Sequence, residues 1–375
     1  MSWRTCRLGD VLTLKRGHDL PEHSRQEGEV PVVSSSGITG RHKEAKATAP
    51  GVVTGRYGTI GEVYFLQEDF WPLNTALYVI DFKGNDPRFA SYFLRNVLKG
   101  YQSEKAAIPG VDRNVLHEIK VQLPSLPEQL LITEILSSYD DLIDNNRRRM
   151  ALLEDSARQL YREWFVRLRF PGHEHTPIVD GVPQGWERIR IDALGTVLTG
   201  KTPSTKDADN YGGDIPFIKT PDMHGNAFVL QAETYLSEKG AKLQDNKFLP
   251  PGALLVSCIG TVGVVSITSE LCQFNQQINA VIPVEDFLRY YSYFALKELK
   301  PRLDAIGGGV TMANVSKGKF ESMDVLRPAS TLLRSFDEFT SPVFNQIKTL
   351  GQQNQKLRQA RDLLLPRLMN GELAV

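Results

Sequence analysis

The sequence predicts an α+β protein. Two similar α/β domains are joined by two long antiparallel coiled-coil helices, related by a pseudo-two-fold axis. Three observations lead there. A set of motifs occurs twice in the same order. Each copy is followed by a long segment with a heptad seam. The chain has 375 residues, which suits two or three ordinary domains rather than one.

The repeat carries the most weight, because self-similarity over half a chain means two copies of a whole domain. Trp3 and Leu8-Gly9 match Trp186 and Leu194-Gly195. Gly58-Thr59-Ile60-Gly61 matches Gly260-Thr261-Val262-Gly263, and Asn74 matches Asn275. Arg88-Phe89-Ala90-Ser91-Tyr92-Phe93 matches Arg289-Tyr290-Tyr291-Ser292-Tyr293-Phe294. Asn114-Val115 matches Asn314-Val315, and Val121 with Pro124 matches Val325 with Pro328.

The first helical segment places Ile132, Leu136, Tyr139, Ile143, Asn146, Met150, Leu153, Ala157, Leu160 and Trp164 at alternating steps of four and three. The second does the same with Val343, Ile347, Leu350, Asn354, Leu357, Arg361, Leu364 and Leu368. Such a pattern is a coiled-coil seam, and its polar members are expected to fix register. Pro127 reads as the start of the first helix, and Ser341-Pro342 as the N-cap and first residue of the second. Pro171-Gly172 and Gly371 read as their ends. A helix over residues 128–168 would be roughly 60 Å long, a length suited to a spacer.

The expected organisation is a first globular domain over 1–127, a helix over 128–170 and a linker over 171–185. A second domain over 186–328 and a C-terminal helix over 329–375 complete it. Apolar runs at Gly51–Val53, Leu77–Ile80, Ala253–Val256 and Ala280–Ile282 read as short buried strands. Phe89–Leu98 and Tyr290–Leu299 read as one helix in each copy. Phe170–Gly185, rich in Pro, Gly and His, reads as linker.

Composition excludes several classes. Lys plus Arg and Asp plus Glu are 44 each, hydrophobic residues are 41% and charged residues 23%. That is neither a disordered chain nor a polycation, but neutrality overall still permits a basic face. The three cysteines, Cys6, Cys258 and Cys272, form no metal or disulfide pattern and read as small buried hydrophobes of a reducing cytoplasm. The N-terminus lacks the apolar core of a signal peptide, and no run is long enough to span a membrane.

Catalytic motifs fail on context. Gly195 to Thr202 spells a P-loop pattern, but Pro203-Ser204-Thr205 follows where a helix must open. Asp86-Pro87-Arg88-Phe89 approaches an amino-methyltransferase signature, yet it sits at the start of the repeated helix. Gly307-Gly308-Gly309 reads as a loop. Histidines 18, 23, 42, 117, 173, 175 and 224 are scattered and supply no third ligand to the His173/His175 pair. No catalytic residue, cofactor site or metal site is expected in this chain.

Two similar domains on a spacer suit a target with two half-sites, which DNA offers. The candidate DNA-contacting residues are Arg41, Lys43, Arg56, Lys105, Arg113 and Asn114 in the first copy. In the second they are Lys201, Thr202, Lys206, Lys219, Gln276, Asn314 and Lys317. Arg reads guanine, Asn and Gln read adenine, and Lys anchors phosphate.

Two stretches carry a family resemblance. One runs from Leu142-Ile143-Asp144-Asn145-Asn146-Arg147-Arg148-Arg149 through Leu160-Tyr161-Arg162-Glu163-Trp164-Phe165-Val166 to Arg169-Phe170-Pro171-Gly172. The other is Leu363-Leu364-Leu365-Pro366-Arg367-Leu368-Met369-Asn370-Gly371-Glu372-Leu373. They resemble the conserved helices of type I restriction-modification specificity subunits. Gly200-Lys201-Thr202-Pro203-Ser204 and the paired G-T-[IV]-G motifs resemble that family's target recognition domains.

The resemblance implies a non-catalytic bacterial or archaeal subunit whose two domains each read half of an asymmetric bipartite DNA site. The helices would set the gap. Two methyltransferase subunits holding S-adenosylmethionine would dock on them, together with ATP- and Mg-dependent translocase-nuclease subunits. The second helical region departs from the first: Leu332-Leu333 stands where Glu128-Gln129 stands. The residues by themselves also permit a coiled-coil scaffold without DNA readout, a self-contained NTPase through Lys201, or a methyltransferase. A specificity subunit of a related bipartite type II system is a further alternative.

Overall fold

The computed structural model describes residues 3–56, 61–104, 112–307 and 314–374. The chain forms two compact units, residues 1–143 with 356–375 and residues 144–355. Each contains one α/β domain and a stretch of both long helices.

In the first unit, Arg4–Arg7 pairs antiparallel with Lys120–Leu123 and closes the domain at its two ends in sequence. A four-stranded sheet runs in the order Thr13–Arg16, Ala76–Asp81, Gly51–Gly55, Val63–Leu66. A three-stranded sheet runs Gly37–His42, Val30–Ser34, Trp71–Pro72, the last pair parallel. The Gly51–Gly55 strand is buried throughout, which is why it reads as a continuous apolar run. The helix Pro87–Glu104 buries Phe89, Ala90, Phe93 and Leu94, and Asp86 Oδ1 caps its start by accepting from Phe89 N at 2.6 Å.

The second unit repeats this connectivity and adds one strand. Glu187–Arg190 pairs with Asp324–Arg327. The larger sheet runs Gly195–Thr199, Ile278–Pro283, Leu254–Ser257, Val265–Thr268, with Phe228–Val229 added in parallel at the edge. The smaller runs Tyr235–Leu236, Tyr211–Ile218, Gln273–Phe274. Its helix, Arg289–Glu298, is buried over most of its length.

Three expected matches are corrected. Leu8 N donates to Ile119 O as Ile191 N donates to Met323 O, so Leu8 corresponds to Ile191 and not to Leu194. Leu73 N donates to Val33 O as Asn275 N donates to Ile218 O, so Asn275 corresponds to Leu73, and Asn74 to Gln276. The helix Arg113–His117 is the counterpart of Lys317–Glu321: each follows a capping side chain, Asp112 or Ser316, and buries one residue, Leu116 or Phe320. Arg113 therefore corresponds to Lys317, and Asn114-Val115 does not correspond to Asn314-Val315. The shared Asn-Val pair is coincidental.

The first long helix covers Leu126–Tyr161 and ends in a π-helical turn, Arg162–Val166. It stops before Pro171-Gly172. Leu168 adopts a left-handed conformation, φ 58°, and Arg169 N reaches back to Glu163 O at 2.8 Å. The wider turn turns both adjacent rings, Trp164 and Phe165, into the core.

The second long helix covers Ser330–Met369, so Ser341-Pro342 lies inside it rather than at its start. Pro342 removes one backbone donor, a cost of about 3 kcal/mol. Phe336, Phe344, Ile347 and Leu350, buried on both sides of it, outweigh that cost by keeping the helix against the core. Gly371, φ 70°, follows its last turn. The 170–185 segment contains a 3-10 turn, His173–His175, and a small hairpin, Ile178–Val179 with Val182–Pro183.

Within each unit the long helices run antiparallel. In the first, Ile132 and Leu136 share a core with Leu365 and Leu368, and Arg361 bonds Asp140 at 2.5 Å. In the second, Asn146 faces Asn354, and Tyr161, Trp164 and Phe165 all pack on Phe336. The seam residues Ile143, Met150 and Ile347 are buried with Asn354, whereas Leu153, Leu160, Leu357 and Leu364 are half-buried.

Candidate nucleic-acid interface

The same loops meet at the same end of the larger sheet in both domains. In the second domain the strand Gly195–Thr199 leaves the sheet at Gly200. Gly200 N donates to Ile278 O at 3.2 Å, Lys201 N to Phe274 O at 3.1 Å, and Cys258 N to Gln277 O at 2.8 Å. Asn275 N donates to Ile218 O at 3.0 Å, tying the smaller sheet to this corner. The first domain repeats the pattern. Gly17 N donates to Ala76 O at 3.1 Å, Arg56 N to Thr75 O at 3.1 Å and Leu73 N to Val33 O at 2.8 Å.

Glycine is required at both corners by space. A Cβ at Gly200 would lie 2.1 Å from Asn275 O, and one at Gly17 2.2 Å from Leu73 O. Gly200 of the apparent P-loop thus follows a strand and opens a loop, leaving no helix N-terminus to hold phosphate.

A polar network supports the second corner. Thr199 Oγ1 donates to Asn279 Oδ1 at 2.6 Å, and Asn279 Nδ2 contacts Cys258 Sγ at 3.2 Å. Asn275 Nδ2 donates to Gln277 Oε1 at 3.0 Å. Asn275, Asn279 and Cys258 are buried, which holds the network in one geometry. Above them Thr202 Oγ1 bonds Gln276 Oε1, and Lys201 and Gln276 are exposed. Asn314 is exposed beside them, because its backbone bridges Ile259 and Val315 N donates to Cys258 O at 2.8 Å.

The structure therefore brings Lys201, Thr202, Gln276 and Asn314 together. Lys206 is exposed further along the same loop, and neither it nor Lys201 has an ion pair among the described residues. Lys219 is engaged otherwise: its ammonium donates to Thr234 Oγ1 at 2.8 Å. Lys317 pairs with Glu321 at 3.0 Å, on a short helix whose Phe320 packs with Ile191 and Leu194 at the opposite end of the first strand.

In the first domain, Arg56 lies at the corner. Arg41 and Lys43 lie on and beside the strand Gly37–His42 of the smaller sheet, where Glu29 and Glu44 neutralise them. Arg113 and Asn114 are exposed on the short helix Arg113–His117. Lys105 lies outside the described residues, as do Gly58, Thr59 and Ile60 and Gly308-Gly309.

Residue-by-residue reading missed His18, which follows Gly17 as Lys201 follows Gly200. Its Nε2 lies 3.3 Å from Tyr78 Oη. Burial first, then Lys15 and Lys46, hold its pKa below the ordinary imidazole value. The repeated glycine was the available signal. Asn275 and Gln277 were legible only as polar residues, because their amides act on the loop itself.

The remaining chemistry is quiet. Burial pushes the Cys258 thiol up to about 11 and that of Cys272 up to about 12, which keeps both protonated. No cluster of metal-ligating side chains occurs among the described residues. No helix among them is long and apolar enough to cross a membrane.

A two-domain chain with matching polar corners agrees with what comparison finds. The model of the "Type I restriction modification DNA specificity domain" matches residues 1–155 and again 183–331. The chain belongs to the type I restriction-modification specificity family. It is a DNA-recognition subunit rather than a catalytic one.

Among relatives, the type I restriction enzyme HindI specificity subunit of Haemophilus influenzae is 28% identical over 334 residues, covering 72% of this chain and 73% of that one. The MjaIX specificity subunit of Methanocaldococcus jannaschii is 23% identical over 295 residues, covering 76% and 66%. The crystal structure of the type I restriction-modification S subunit from M. genitalium shares the fold. Its TM-score is 0.58 at 16% identity, with 98% of this chain and 96% of that one covered.

Proposed function

We propose that each polar corner of this specificity subunit reads one half of a bipartite DNA target and that the paired helices hold the gap between the halves. The observation that carries this reading is the duplicated corner. The same backbone bonds and the same crowded glycine recur in both domains, while the side chains displayed there differ: Lys201, Thr202 and Gln276 in one, His18 and Asn74 in the other. An invariant frame with divergent side chains suits two unlike half-sites.

Lys201 and Lys206 would contact phosphates, and Gln276 and Asn314 base edges, where an amide reads adenine. The long helices leave Leu130, Leu142, Leu152 and Leu363 exposed, apolar surface fit for docking other subunits. The partners in this reading are two methyltransferase subunits carrying S-adenosylmethionine, and translocase-nuclease subunits using ATP and Mg. The complex would act in the cytoplasm.

Exchanging residues 186–328 for those of another specificity subunit tests the reading. The methylated sequence should change in one half only, with the other half and the gap retained. An unchanged sequence would refute it.

A further inference from the structure

The repeated helix of each domain carries one tyrosine at an equivalent place, and each hydroxyl ends on a carboxylate of the same long helix. Tyr92 Oη donates to Asp140 Oδ2 at 2.6 Å, and Tyr293 Oη donates to Glu154 Oε1 at 2.8 Å. Both rings are buried, at 2% and 1% exposure. Asp140 follows seam residue Tyr139, and Glu154 follows seam residue Leu153, so the two acids occupy the same heptad position two heptads apart in the sequence.

We infer that Tyr92 and Tyr293 are positioning residues that index each recognition domain to one place on the spacer helix. The inference rests on the specificity-subunit reading above. Apolar seam contacts are non-directional and recur every heptad, so they alone tolerate a domain that slides or rotates on the helix. A buried hydroxyl bound to a single carboxylate is directional and admits one placement.

A cation completes each latch by a different route. Arg361, from the second long helix, bonds Asp140 at 2.5 Å, so the first latch also joins the two helices. Beside it Arg88 pairs with Asp141 at 2.5 Å. In the second latch the cation comes from the domain's own helix: Lys297 Nζ bonds Glu154 Oε1 at 2.7 Å and Tyr293 Oη at 3.1 Å. Both of its arms toward Glu154 belong to the domain, so removing them frees the domain without touching the pairing of the long helices.

The test is the gap between half-sites, which a merely stabilising side chain would not move. The full-length chain and its variants Tyr92→Phe, Tyr293→Phe and Tyr293→Phe/Lys297→Met are each expressed with the host's methyltransferase subunits, and methylated adenines are mapped across the genome. With the unmodified chain one gap should dominate. In the variants both half-site sequences should persist, while methylation of sites one base pair longer or shorter rises by about tenfold, most in the double variant. Glu154→Gln, which keeps an acceptor oxygen for Tyr293, should fall between.

A single unchanged gap in every variant would overturn the latch and leave the specificity reading standing. Altered half-sites would also overturn it, by making the tyrosines part of readout. Loss of all methylation in Tyr293→Phe would overturn it in favour of a folding role. No bipartite motif with the unmodified chain would overturn both readings.

Discussion

Asn146 Nδ2 donates to Asn354 Oδ1 at 3.0 Å inside the seam of the long helices, and both side chains are buried. Their neighbours Ile143, Met150, Ile347 and Leu350 are apolar and buried, so this amide pair marks the one register in which the two helices leave no amide facing hydrocarbon. Replacing one amide, as in Asn146→Leu, removes this buried bond and should cost about 1–3 kcal/mol in urea unfolding. The double replacement by Leu should recover most of that loss. Equal destabilisation in single and double variants would deny the pairing.

The aromatic cluster at the end of the first long helix predicts a larger effect. Phe336 is fully buried and touches Tyr161, Trp164 and Phe165 with ring centroids 6.3, 5.9 and 5.0 Å away. Phe336→Ala should destabilise the second unit by about 3–5 kcal/mol, measured by urea unfolding followed through tryptophan fluorescence. A change under about 1 kcal/mol would mean the cluster collapses without cost.

The crowded glycines predict separable defects. Gly200→Ala drives a methyl into the Asn275 carbonyl, and Gly17→Ala into that of Leu73. Each should strain its own corner by about 1–3 kcal/mol and weaken binding of the complex to DNA. Competition with duplexes altered in one half should then show that Gly200→Ala no longer discriminates one half and Gly17→Ala the other. Loss at the same half for both would break the one-domain, one-half assignment.

His18 supplies a pH signature. Burial lowers its folded pKa below the ordinary value of 6.5, so the unfolded chain binds the proton more readily. This histidine's contribution to stability is therefore fully present above pH 6.5 and is lost as pH falls through 6.5 toward the folded value. In an NMR titration its imidazole should have a midpoint below 6.5. A midpoint above 6.5 would place an unrecognised anion beside it.

The large features were legible because they repeat. Gly51–Val53 and Ala253–Val256 announced buried strands, and the alternating steps from Ile132 to Trp164 announced the seam. What escaped was local competition. Pro342 read as a helix start because sequence rules weigh its missing donor, while Phe336 and Phe344 on either side outweigh it in the fold. Pro171-Gly172 read as a helix end, but burying Trp164 and Phe165 together ended the helix sooner through a π turn. Lys219 and Lys317 read as free cations, since the sequence does not display Thr234 next to the one and only hints at Glu321 for the other. Tyr92 and Tyr293 stood in the repeat, yet nothing in their spacing pointed to Asp140 and Glu154.

The central claim is that one chain reads two unlike DNA half-sites at a fixed gap. Mapping methylated adenines in cells that carry this chain with its methyltransferase subunits tests it most directly. The account predicts a single motif of two different short sequences separated by a constant stretch of unspecified bases, with one methylated adenine in each half. A continuous motif, or two halves whose gap varies freely, would contradict it.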